Sequence, residues 1–273
     1  MIAKPITMIY RKTTAAALTA LLLAASPLLA SLTVLETGHV DLDFNVIGGA
    51  WQIGLHHQTQ GSFAPGEAIL HARDEPFGEG GSRASRTAGS QWNFIGVDEG
   101  DPFYLFPQNN QPGVLWPGMA AEDTQSNTLA LYPESDPRAS TTPAPWISIQ
   151  VMHIAYYGDG DGHFSLWSSG SLGETTVWMS SVNELSADDR FLFLSGGHTH
   201  MNWGFSDLGY YGITFQASAF LNDGNMTPIV SDPVTFHFGI GTTVIPEPST
   251  YALLLLSACG LAAWCRRRRL NRS

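Results

Sequence analysis

Apolar and polar residues alternate with a period of two along most of the chain from residue 32 to residue 241, and Gly, Pro, Asn and Asp separate the runs. That pattern predicts strands over Thr33–Val46, Ala50–His57, Ala68–Ala72, Phe103–Phe106, Thr128–Tyr132, Trp146–Tyr157, His163–Ser168, Thr175–Ser181, Phe191–Ser195, Tyr210–Phe220 and Val234–Phe238. No stretch carries the 3.6-residue period of a long amphipathic helix. So many strands need two packed faces to bury their apolar sides, and the expected fold is all-β, an antiparallel β-sandwich of immunoglobulin-like or jelly-roll-like kind. Two segments fall outside the pattern and read as exposed loops: Arg73–Ser90, rich in Gly, Ser, Arg and acidic residues, and Ser135–Pro145, with Pro137, Pro143 and Pro145.

The same alternation sorts the polar side chains. His39, Asp41 and Asp43 share one face, and Val40, Leu42 and Phe44 take the other. Trp51, Ile53 and Leu55 form an inward set, which leaves His56 on the polar face and His57 at the strand end. In Ser195–Ala217 a His-x-His pair, His198 and His200, projects to one side of an extended backbone with nitrogens close enough to share one small ligand. A metal ion is the natural candidate, and a solvated strand face is the alternative. Gly158–His163 holds an Asp-x-Asp-Gly sequence, but the EF-hand loop needs Gly at its sixth position and Glu at its twelfth, where Phe164 and Gly170 stand. A hairpin turn between the flanking strands is the better expectation. His153 and His237 alternate with apolar neighbours and read as structural, and His71 and His163 stay undecided.

Both ends look like processing segments. Lys4, Arg11 and Lys12 precede the apolar run Ala15–Ala25, then Ser26, Pro27 and Ala30, as in a secretory signal peptide over residues 1–31. Residues 244–273 hold Pro246-Glu247-Pro248, a short apolar stretch from Tyr251 to Trp264, and Arg266 to Arg269, a basic stop that would stay cytoplasmic. With these removed, the body at 32–243 keeps only Arg73, Arg83, Arg86, Arg138 and Arg190 of the 13 basic residues, against 23 of the 24 acidic ones. Nucleic acid and anionic membrane surfaces are poor partners for such a body, and cations are good ones. Both cysteines, Cys259 and Cys265, lie in the tail, so a zinc site in the body must use His and carboxylate ligands.

The Pro-Glu-Pro, the short span and the arginine cluster together closely resemble the PEP-CTERM sorting signal of Gram-negative bacteria. That resemblance implies export through the inner membrane, recognition by an exosortase-type protease, removal of the tail, and delivery to the envelope surface or extracellular matrix. The body resembles the choice-of-anchor M domain through Thr37-Gly-His-Val-Asp-Leu42, Phe103–Gln108 with Val114–Gly118, and Gly197–Phe205 followed by Gly209–Phe215. This second resemblance implies a surface-anchored β-rich domain associated with metal uptake, often beside a metal ABC-transport system, with zinc the usual ion and no established enzyme activity. It points to His39, Asp41, His198, His200, Asn202 and Trp203, and to a His of the second strand that falls on His56 with His57 alongside.

Residues and resemblance meet on one expected site, in which His39, His56, His198 and His200 face a shared pocket, Asp41 serves as ligand or outer acceptor, and Trp203 and Phe205 pack beneath. A zinc scavenger or uptake accessory is the leading function. A matrix protein binding exopolysaccharide through Trp92, Trp116, Trp167 and Trp178 is the second. A metallohydrolase is the third, disfavoured because there is no His-Glu-x-x-His and no Glu beside the His-x-His.

Overall fold

The computed structural model describes residues 32–140 and 142–243, and the segments read above as signal peptide (1–31) and sorting signal (244–273) lie outside these residues. Within them the chain is all-β. In order come β1 (Thr33–Leu35), β2 (Gly38–Ile47), β3 (Ala50–His57), β4 (Gly61–Phe63), β5 (Ala68–Ala72), β6 (Arg83–Ser85), β7 (Pro102–Phe106), β8 (Leu115–Ala120) and β9 (Trp146–Gly158). There follow β10 (Phe164–Ser169), β11 (Thr175–Ser180), β12 (Arg190–Leu194), β13 (His198–His200), β14 (Asn202–Phe205), β15 (Gly209–Phe220), β16 (Pro228–Val230) and β17 (Val234–Ile240).

These strands build three sheets. The largest runs β1-β5-β17-β15-β9-β12, with β16 on β15; the second runs β13-β8-β2-β3-β4; the third runs β11-β10-β14-β7-β6. One apolar core joins them. Phe44 of the second sheet meets Phe236 of the first at 5.9 Å, and Trp203 and Phe205 of the third meet Phe238 of the first at 5.6 and 5.4 Å. The second and third sheets therefore lie against one face of the first, which makes a sandwich with a split layer.

Strand β2 shows why the residues choose this arrangement. Val40, Leu42, Phe44 and Val46 are buried from one face, and each is worth roughly 1.5–3 kcal/mol of apolar burial. Gly48 and Gly49, both at positive φ, close the two-residue turn that pairs Ile47 with Ala50. A turn with two left-handed positions matches the twist of a hairpin, and glycine takes it without steric cost.

Several expectations are corrected. The sandwich is mixed, because β1 with β5, β5 with β17, and β2 with β8 run parallel. Period two reports which face a residue takes and not the direction of the neighbouring strand. Thr128–Tyr132 makes only an isolated bridge, Leu129 with Leu221. Strands β9 and β10 belong to different sheets, so Gly158–His163 crosses between sheets and closes no hairpin. The segment Arg73–Ser90 contains β6, and Arg86 within it is buried, donating to the carbonyls of Gly89 and Trp92. In the second loop Asp136 is buried and accepts from Arg138 at 2.8 Å, which holds its carboxyl below the usual range; that guanidinium also lies over the Trp178 ring.

His237 is half-buried with Nδ1 2.6 Å from Tyr210 Oη, and burial depresses its pKa from 6.5. His153, by contrast, is exposed and carries no core role. A histidine whose folded pKa is depressed binds its proton more readily when unfolded, so its contribution to stability is intact above about pH 6.5 and is lost as the pH falls below that. We expect the drop in the urea midpoint between pH 7 and pH 5 to be smaller in His237→Gln than in the parent chain. An equal drop in both would show that His237 is not buried as the neutral form.

Candidate metal centre

The centre lies on the face of the second sheet that points away from the core. Strands β2 and β8 pair in parallel, with His39 opposite Trp116, Asp41 opposite Gly118 and Asp43 opposite Ala120. Strand β13 pairs antiparallel with β8, so that His200 falls opposite Gly118 and His198 opposite Ala120. Residues paired across strands share a face. One row therefore reads Asp41, Gly118, His200, with His56 beyond Asp41 on β3. Gly118 is what lets the row close: a Cβ there would collide with Asp41 Oδ1 and stand 3.0 Å from His200 Cε1.

Over this glycine His39, His198 and His200 offer ligand atoms that all lie within 4.8 Å of one another. Ring centroids are 4.9 Å apart for His39 and His200, 5.4 Å for His198 and His200, and 5.7 Å for His39 and His198. Each ring of the His-x-His pair is oriented by its other nitrogen. His198 Nδ1 lies 2.8 Å from Glu122 Oε1, and His200 Nδ1 donates to the Pro117 carbonyl at 3.2 Å. A carbonyl only accepts, so the neutral His200 ring carries its proton on Nδ1 and turns the Nε2 lone pair inward. Trp116 stacks on the same ring at 3.7 Å and 11°, and is itself fixed by an Nε1 bond to the Gln108 carbonyl at 2.8 Å.

Unmet polar atoms concentrate here. His39 Nε2, Asp41 Oδ1 and His200 Nε2 are buried without a hydrogen-bond partner, three of the seven such side-chain atoms among the described residues. His39 Nε2 and Asp41 Oδ1 face each other at 3.2 Å, off the alignment of a hydrogen bond. Each unmet group costs about 1–3 kcal/mol when buried. A cation would give both imidazole nitrogens a partner at once, with Asp41 close to His39. Burial sets the local acidities: it pushes His200 down to about 4, raises Asp41 against the opposing charges of His39 and His198, and with Asp41 raises Asp43 to about 6. His200 is thus neutral across the ordinary pH range.

The structure separates the remaining histidines. His57 is buried, donates from Nε2 to the Thr37 carbonyl at 2.8 Å and accepts at Nδ1 from the Gln60 amide at 3.2 Å, so it clamps the start of β2 and has no lone pair to spare. His56 sits on the polar face as expected, but it is exposed, holds Ser62 Oγ at 3.1 Å, and stays outside the three that converge. His71 pairs with Glu36 at 2.9 Å, and His163 Nδ1 donates to the Ser181 carbonyl. Asn202 braces the third sheet by accepting from the Gln108 amide at 2.9 Å. Trp203 and Phe205 fill the main core from β14, whose neighbours are β10 and β7, so they do not pack beneath the His-x-His strand. Trp167 and Trp178 are buried as well.

Three contributors escape the sequence pattern: Trp116, Gly118 and Glu122. Pro117-Gly118 interrupts the period-two signal of β8, and Glu122 lies 76 residues from the histidine it orients. The order of Val114–Gly118 within the resemblance to a surface-anchored domain is the one signal that could have drawn attention to β8.

Residues 244–269 match the PEP-CTERM protein-sorting motif, which includes Pro246, Glu247 and Pro248. The motif marks an exported chain that is processed by the exosortase sorting system of a Gram-negative envelope. No curated protein and no solved structure matches the chain.

Proposed function

We propose that this exported, surface-sorted protein binds one divalent metal ion, zinc by preference, through His39, His198 and His200, with Asp41 beside them, and that it acts as a scavenger or an accessory to metal uptake rather than as an enzyme. The observation that carries the reading is the convergence of three imidazoles, of which His39 and His200 hold a buried Nε2 without another partner, beside the unpartnered Asp41 Oδ1. Imidazole nitrogen suits zinc, and the carboxylate that orients His198 is the usual outer partner of such a ligand. An acidic body raises the local concentration of cations. A metal ABC-transport system as recipient, and the choice-of-anchor M kinship of residues 33–241, stand on the sequence motifs. The exopolysaccharide alternative is weakened by the burial of Trp167 and Trp178 and by the stacking of Trp116 on His200.

The test is metal content by mass spectrometry on the purified full-length protein after zinc loading and dialysis. About one zinc per chain is expected. A chain that retains none would remove the proposal.

A further inference from the structure

The donors supplied by the chain are one short of a closed zinc site. Zinc in proteins is almost always four-coordinate, and structural sites draw all four ligands from the protein. Among the described residues the only group of three or more metal-binding side chains is His39, His198 and His200. Asp41 is close to His39 but does not join the mutually close set, and Glu122 is engaged with His198 Nδ1. Cysteine is absent from the body.

From these observations, and resting on the metal-binding reading above, we infer that the bound ion keeps its fourth position for a neutral nitrogen donor from outside the chain, such as an imidazole. The side of approach is set by exposure: the His198 side chain is 40% exposed and Glu122 59%, while His39 is only 24% exposed and His200 lies under Trp116. The nature of the donor is set by charge. Asp41, Asp43, Glu122 and Asp123 crowd this face closely enough to act on one another. None of the body's five arginines offsets them, since Arg73, Arg83, Arg138 and Arg190 pair with Glu75, Asp74, Asp136 and Glu134, and Arg86 is held by Gly89 and Trp92. An anionic ligand would enter against those carboxylates, whereas a neutral nitrogen donor pays no such penalty. An exchangeable position of this kind is what a chain needs in order to pass its ion to the histidine of another protein.

The experiment uses the full-length protein loaded with Co(II), whose visible bands report coordination number and donor type. Imidazole and azide are titrated in separately. Imidazole should shift the bands saturably at a concentration at least about tenfold below that needed for azide, about 1.4 kcal/mol of discrimination. Bands that neither probe moves would mean a closed site and would overturn the inference while leaving metal binding intact. A stronger response to azide than to imidazole would overturn the choice of donor, and with it the inference. A chain that retains no cobalt would remove the metal reading itself.

Discussion

Replacing His198 and His200 together with alanine should reduce bound zinc from about one per chain to below about one tenth and weaken affinity by more than about 100-fold. The size follows from what each ring does. Loss of an outer partner of a ligand alone costs about 10–100-fold in metal affinity, and this variant removes two inner nitrogens and leaves His39 as the one remaining imidazole of the three. Folding should survive, because both residues sit on the short edge strand β13 and neither contributes to the apolar core. His56→Ala is the informative companion. The side chain is exposed and bound to Ser62, so its loss should leave zinc affinity within about threefold, a change under 1 kcal/mol. Equal zinc retention in the double variant and the parent, measured by isothermal titration and by metal content, would place the ion elsewhere. A large loss in His56→Ala would draw β3 into the site.

How much of this was legible beforehand differs from strand to strand for physical reasons. The faces of strand β2 were readable, because Val40, Leu42 and Phe44 alternate with His39, Asp41 and Asp43 and only one of those sets can face a core, but the single strand expected over Thr33–Val46 divides into β1 and β2, which join different sheets. The bounds of β3 and β5 follow from the same rule. The His-x-His pair was readable as two side chains on one face, and its meeting with His39 was a reasoned expectation. What no periodicity could supply was strand β8. Its Pro117-Gly118 erases the alternation, yet this strand lies between β2 and β13 and decides which residues become neighbours. Trp116 looked like a sugar platform because nothing local says that His200, 84 positions away by number, will lie flat on it. The choice between His56 and His57 was likewise open until hydrogen bonding settled the part played by His57. Both are polar at a strand end, and only the turn at Thr59 and Gln60 consumes the second ring. Parallel pairing of β2 with β8 was out of reach for the same reason that register usually is: face is local, direction is global.

Gly118→Val should uncouple the metal centre from the fold. The backbone at this position is not left-handed, so a β-branched residue meets no conformational penalty and gains strand propensity. Its side chain, however, must rise from the floor of the site. The first atom alone would collide with Asp41 Oδ1 and stand 3.0 Å from His200 Cε1 and 3.1 Å from the Thr199 carbonyl. Asp41 can swing aside; the His200 ring, held by Pro117 below and by Trp116 on its face, has far less freedom. Zinc affinity should fall about 10–100-fold, the range seen when a ligand is displaced by its supports. The stability cost should stay at about 1–3 kcal/mol, the range for overpacking, because the displaced groups lie outside the apolar core. Gly118→Ala should give an intermediate loss, since it adds the colliding atom without the branch. Circular dichroism melting beside zinc titration checks both arms. Unchanged affinity in Gly118→Val would mean that the ion does not sit over β8, and a melt lowered as steeply as the affinity would mean that the glycine serves the sheet and not the site.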